Sequence, residues 1–89
     1  MDELLKEFKT RMKIFHDIED DELERSLEAS KQAIKRMVGS DNTEIPSIKE
    51  LVLERSRYAY NDSLEYFEEN FQSTLIGVGL EVSIDEDII

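Results

Sequence analysis

The side chains best suited to chemistry in this sequence are one histidine and a run of carboxylates beside it. His16 is the only histidine and the chain has no cysteine, so neither a histidine metal pair nor a thiolate nucleophile can form. The carboxylates that follow lack the central glycine and the ligand spacing of a calcium loop. They are Asp17, Glu19, Asp20, Asp21 and Glu22. We predict a solvated helix start here, with no metal site.

No other constellation of residues indicates catalysis. The sequence has no nucleophile motif, no glycine-rich phosphate loop and no zinc-ligand spacing. Lys and Arg number 11 against 22 Asp and Glu, a net charge of −11. Binding to a DNA duplex would therefore have to overcome repulsion, and no basic stripe with aromatic residues exists to track a nucleic-acid strand. We predict no catalytic residue, no cofactor and no sequence-specific nucleic-acid binding.

Few helix breakers interrupt the segments that carry these residues. The 89 residues include three Gly and one Pro, with 39% apolar and 37% charged residues. This composition predicts a single all-α domain, a small helical bundle. Apolar spacing indicates one helix over residues 2–14 and a second from the N-cap Asp20 to Val38, ended by Gly39. The charged N-terminus predicts neither a signal peptide nor a membrane span.

One long central helix is predicted from Pro46 or Ser47 to about Asn70. Its apolar residues cover roughly 240°, wider than the face of an ordinary surface helix. They are Ile48, Leu51, Val52, Leu53, Tyr58, Ala59, Tyr60, Leu64, Tyr66, Phe67 and Phe71. Two explanations stay open: the helix is wrapped by the rest of its own bundle, or another subunit covers part of it.

Two charged residues, Arg55 and Asp62, fall inside that apolar arc, where a charge needs a partner. Within one subunit they could pair with each other or with another helix. Across a subunit interface, such a pair would fix the register between copies.

The C-terminal segment changes its apolar period. Val78, Leu80, Val82 and Ile84 alternate with polar residues or Gly, which is typical of a strand. One hypothesis is a short extended arm that pairs with a neighbouring chain. The alternative is a last helical turn around Leu75 and Ile76 followed by a frayed acidic tail. We therefore divide the chain into a helical domain, residues 1–76, and an acidic C-terminal arm, residues 77–89.

The segment from Leu51 to Phe71, and above all the core Arg-Tyr-x-Tyr-Asn-Asp from Arg57 to Asp62, resembles the head-tail connector proteins of tailed bacteriophages and prophages. This resemblance implies a small helical bundle that assembles with itself into an adaptor ring, expected to be twelve-fold. It implies a ring docked under the portal protein at the head-tail junction of the virion, after synthesis in the bacterial cytoplasm. DNA would pass through the ring, and a downstream head-completion or tail protein would bind to it.

For such a ring we predict subunit-interface residues on the long helix and on the arm. They are Arg55, Tyr58, Asp62, Tyr66, Phe67, Phe71, Val78, Leu80 and Val82. The alternative function is that of a small acidic regulatory protein, either a helical partner or a DNA-mimic inhibitor. Lys and Arg interrupt the carboxylates on each helix, which counts against mimicry of a phosphate array. Neither function involves an enzyme or a membrane.

Overall fold

Helices form the protein, seen in a computed structural model that describes the backbone of residues 2–88 and the side chains of residues 3–84. The elements are α1 (Asp2–Met12), α2 (Asp20–Val38), α3 (Pro46–Tyr60), a 3-10 turn (Leu64–Tyr66), α4 (Phe67–Asn70) and α5 (Gln72–Ile88). Residues 2–88 contain no strand. The predicted all-α fold is confirmed.

Helix α2 has the bounds that its sequence predicts. Gly39 ends it in the left-handed conformation, with φ at 94°, and donates its N–H to the carbonyl oxygen of Lys35 at 2.8 Å. The predicted N-cap is wrong, because Glu19 occupies that position without a side-chain capping bond. The Asp20 carboxylate instead accepts a hydrogen bond from Nζ of Lys9 at 2.7 Å. It ties α1 to α2 rather than capping the backbone.

The core lies around α3, which packs against both α1 and α2. The five buried residues of α3 are Ile48, Leu51, Val52, Leu53 and Ser56. The buried apolar residues of the other elements are Leu4, Leu5, Phe8, Ile14, Leu23, Leu27, Ala33, Ile34, Val38, Phe67 and Val78. The subunit itself therefore covers the apolar arc over this part of the predicted long helix.

The long helix does not continue to Asn70, so that prediction is wrong. It ends at Tyr60, and the N–H of Ser63 donates to the carbonyl oxygen of Tyr58 at 2.8 Å, while Asp62 takes a positive φ of 56°. Asn and Asp tolerate this left-handed conformation better than other residues with side chains, and their short polar groups compete with helical hydrogen bonds. The turn folds the chain back so that Phe67 is 1% exposed.

The hypothesis of an extended C-terminal arm is also wrong, because this segment forms helix α5, which runs from Gln72 to Ile88. Leu75, Val78 and Val82, at a helical spacing of i, i+3 and i+7, pack against the core. Val78 and Val82 belong both to the alternating pattern that predicted a strand and to this face of the helix. A helix satisfies the backbone polar groups of an isolated segment locally, whereas a single strand would leave them unpaired. The chain division at residue 76 stays a prediction, although one helix runs through it.

Two glycines offer a matched test of how α5 meets the end of α2. Gly39 has a φ of +94°, which is strained for any residue with a side chain, and an added Cβ atom would lie 3.4 Å from Cγ1 of Val82. At Gly77, inside α5, a Cβ atom would meet nothing within 4 Å. We expect Gly39→Ala to lower the free energy of unfolding by about 1 kcal/mol or more, since Ala tolerates a positive φ poorly.

We expect Gly77→Ala, the control, to raise the free energy of unfolding by up to about 1 kcal/mol, because Ala favours a helix interior over Gly. Urea unfolding followed by circular dichroism measures both variants. Equal effects of the two substitutions would contradict the left-handed cap at Gly39.

Candidate assembly surfaces

His16 and the carboxylates after it do not come together as a metal site within the described chain. His16 lies in the loop after α1, with Nε2 3.6 Å from Oε2 of Glu19. No His, Asp or Glu side chains among those described converge on a position where a metal ion could be held. None of the helices in residues 2–88 combines the length and apolar character needed to cross a bilayer.

Arg55 lies in a polar cluster between α2 and α3. Its Nη1 donates to Oγ of Ser30 at 3.2 Å, and Oγ of Ser56 donates to the same oxygen at 2.9 Å. Both serines are fully buried. The Ser30 hydroxyl therefore holds the inner end of the half-buried Arg55 guanidinium. The outer end of Arg55 faces a small open cavity of about 180 Å³, lined also by Met37, Leu64, Glu65, Phe67 and Glu68.

The charge of Arg55 is incompletely balanced. Burial lowers the pKa of its guanidinium, nearby Arg36 lowers it further, and Glu68 opposes both. No described carboxylate lies within ion-pair distance of Arg55. Pairing of Arg55 with Asp62 inside the subunit is wrong, because the helix ends before Asp62 and that residue is exposed in the turn. Pairing across a subunit interface stays a prediction.

An aromatic cluster closes the turn after α3. The Tyr58 ring meets Phe67 and Phe71 edge-on, at centroid distances of 5.6 and 5.7 Å, and the two phenylalanines stack at 4.9 Å. The Asn70 side-chain amide donates to the Tyr58 hydroxyl at 3.0 Å. The guanidinium carbon of Arg57 lies 5.2 Å from the centre of the Tyr58 ring. The cluster fixes α4 against α3 and leaves little of Phe67 for another chain.

The nine predicted interface residues thus fall into three groups by exposure. Phe67 and Val78 are buried in the subunit core. Arg55, Tyr58, Phe71 and Val82 are half-buried, and Asp62, Tyr66 and Leu80 are exposed. Contact with a second subunit stays a prediction for all nine, and the exposed and half-buried ones are the best placed for it.

Two exposed apolar features were not predicted as surfaces, although Leu80, which belongs to one of them, is among the predicted interface residues. The α5 stripe consists of Ile76, Leu80 and Ile84, which are 58%, 60% and 57% exposed. The loop knob consists of Phe15 and Ile18, which are 88% and 89% exposed.

The sequence carried a signal for the α5 stripe but none for the loop knob. The i, i+4, i+8 spacing of three aliphatic residues could have indicated the α5 stripe. The loop knob was hidden because Phe15 also fits the apolar face of α1. The helix ends at Met12 and Lys13 takes a positive φ of 59°. The chain therefore turns Ile14 into the core and leaves Phe15 outside.

Ion pairs join α1 to its neighbours. Arg11 binds the carboxylates of Glu50 and Glu54 on α3, and Nζ of Lys49 lies 3.1 Å from Oε1 of Glu7. The Arg57 guanidinium donates to Glu54 at 2.8 Å, and this bond is the main cause of the lowered pKa of the Glu54 carboxyl. Several of the few basic side chains are therefore already occupied inside the subunit, and the excess acidic charge faces outward.

Comparison with known proteins gives one match. The sequence profile of a family described as "Phage gp6-like head-tail connector protein" matches residues 2–83. The match includes α1 to α4, the loop knob and α5 as far as Ser83. No curated protein and no solved structure matches this sequence.

Proposed function

Because this chain belongs to the family of phage gp6-like head-tail connector proteins, we propose that it is a subunit of an adaptor ring. The ring would lie between the portal protein and the downstream head-completion or tail protein, and DNA would pass through it. The family itself makes the chain a structural protein of the virion that assembles with other head and tail proteins. The match over residues 2–83 is the observation that carries the proposal.

The surface of the subunit supports self-association. The five most exposed large apolar side chains of the described residues lie on two separate features, the loop knob and the α5 stripe. A subunit that contacts its neighbours through two different surfaces makes head-to-tail contacts, and these close into a ring when the rotation between subunits is suitable. The surface therefore offers what a ring subunit needs. The twelve-fold symmetry belongs to the proposal and rests on the family.

The charge of the subunit supports the passage of DNA. The net charge is −11, and Lys9, Arg11, Lys49 and Arg57 are bound to carboxylates of the same chain. The other seven Lys and Arg make no ion pair with a described side chain, but the 22 Asp and Glu outnumber all the basic residues two to one. A channel with an acidic lining repels the DNA backbone, so a duplex would slide through it without being retained.

The alternative, an acidic regulatory protein, has less support. A DNA mimic would present its carboxylates as an uninterrupted array, yet Arg11 and Lys49 are bound among the carboxylates at the junction of α1 and α3. Membership in a structural connector family also favours an assembly role over that of an inhibitor.

The mass of the protein in solution tests the ring. We expect light scattering to give a closed oligomer, or a complex of several copies that forms only when the candidate portal protein is added. Assembly on the portal follows when weak lateral contacts act at a raised local concentration. A strict monomer that leaves the mass of the portal unchanged would contradict the proposed function.

Arg55 offers a more local test of the same proposal. Arg55→Ala should change the free energy of unfolding by less than about 1 kcal/mol, because Ser30 keeps its hydrogen bond from Ser56. Assembly on the portal should weaken by at least about tenfold if a neighbouring carboxylate pairs with the Arg55 guanidinium.

Arg25→Ala, at an exposed position of α2, is the control and should change neither quantity. Chemical denaturation and a binding titration with portal measure the two effects. A loss of stability as large as the loss of assembly would instead assign Arg55 to the subunit fold.

A further inference from the structure

The loop knob is displayed by a loop that is held in place. Nζ of Lys9 binds the carboxylates of Asp17 and Asp20, at 2.9 and 2.7 Å, and Ile14 is buried beside the loop. Two large apolar side chains nevertheless point into solvent. An ordered loop loses little conformational freedom when it docks, which favours binding. Phe15 and Ile18 thus have the character of a preformed docking feature.

The α5 stripe is the matching feature at the other end of the subunit. The opposite face of α5 already packs on the core through Leu75, Val78 and Val82, so the helix is apolar on two sides. A helix of this kind is normally buried all round. Residues 72–80 include no charged side chain, in a chain with 37% charged residues. This part of α5 is an uncharged surface on a strongly acidic protein.

The two features are too far apart to cover each other within one subunit. The loop knob precedes the start of α2 at Asp20, whereas α5 packs at its end, where Gly79 lies beside Val38. Helix α2 has 19 residues, and a helix of that length spans about 27 Å at the rise per residue of an α-helix. Neither feature therefore covers the other within the described subunit, and both are free to contact a second molecule.

We propose that the loop knob of one subunit packs on the α5 stripe of the next subunit in the ring. This inference rests on the proposed function, and it names the surfaces that join the copies. Because the knob and the stripe differ, the contact is head-to-tail and leaves a free stripe and a free knob for the next copies. Pairing of stripe with stripe would instead end at a dimer.

The local charge at the two features is compatible with a second copy as the occupant, in spite of the overall repulsion between copies. Two molecules with a net charge of −11 each repel, and the repulsion at the contact is weakest where the surface is uncharged. Lys13, beside the knob, is exposed and makes no ion pair with a described side chain, and Glu81, beside the stripe, is exposed. Lys13 and Glu81 thus offer one pair of opposite charges across the contact, and Asp17, which lies between the two knob residues, is bound to Lys9 of its own subunit.

The contact is small, since it involves five large apolar side chains. Interfaces below standard size are transient when they act alone. We therefore expect the contact between copies to become stable when the portal gathers several subunits, as the effective concentration rises.

Engineered disulfides test the contact directly, because the chain has no cysteine of its own. We expect the double variant Phe15→Cys/Leu80→Cys, oxidised in the presence of portal, to form a ladder of covalent multimers on a non-reducing gel. The control Glu28→Cys/Leu80→Cys places the first cysteine at an exposed position of α2 and should give no ladder. Dimers from Leu80→Cys alone, with no ladder from the double variant, would overturn the proposal in favour of stripe-to-stripe pairing.

Substitutions provide a second readout on the intact assembly. Phe15→Ser/Ile18→Ser should reduce the number of copies bound per portal and weaken assembly by about tenfold or more, the effect of removing large apolar contacts. Both positions are exposed, so the unfolding midpoint should not fall. Lys13→Glu should also weaken assembly, and adding Glu81→Lys to it should restore assembly.

The outcomes separate this inference from the proposed function. A wild-type ring that tolerates the serine substitutions and gives no ladder would overturn the knob-to-stripe contact and leave the ring intact. If single copies of the serine variant no longer bind the portal, and the cysteine variant gives no ladder, the knob contacts the portal instead. This result would overturn the knob-to-stripe contact as well. Failure of the wild-type protein to assemble would contradict the ring itself.

Discussion

The packing of α3 between α1 and α2 is the interaction on which the rest of the molecule depends. Most of the buried apolar residues of the described chain lie in these three helices. Helix α5 packs against the end of α2 and against α4, and it is buried on one face and exposed on the other. The exposed apolar surface is therefore a consequence of how few elements the domain has, and a second subunit supplies the missing cover in our account.

Charge limits where that cover can come from. The acidic excess that, in our proposal, keeps DNA from adhering also makes copies of the subunit repel each other,. Arg11 and Lys49 form ion pairs inside the subunit, where they join α1 to α3. Their charges are therefore not free to pair with another copy. In our account, association uses the uncharged part of α5 and the loop knob. A weak contact of this kind suits a protein that should assemble at the portal rather than in free solution.

The sequence predicted the elements whose ends carry strong local signals. Gly39 and Pro46 mark a helix end and a helix start, and both hold in the structure. The break after Tyr60 was missed because the apolar pattern continues across Asn61 and Asp62, although the chain reverses there to bury Phe67. Interface residues were harder to predict. A pattern shows that a side chain is apolar, but only the tertiary packing shows which apolar side chains the subunit leaves uncovered.

Electron microscopy of the protein mixed with its candidate portal tests the central claim most directly. Our account predicts a closed ring of subunits, coaxial with the portal and on one face of it, with α5 of each subunit against the loop between α1 and α2 of its neighbour. Portal particles identical with and without the protein, at concentrations where the protein remains folded, would contradict the account.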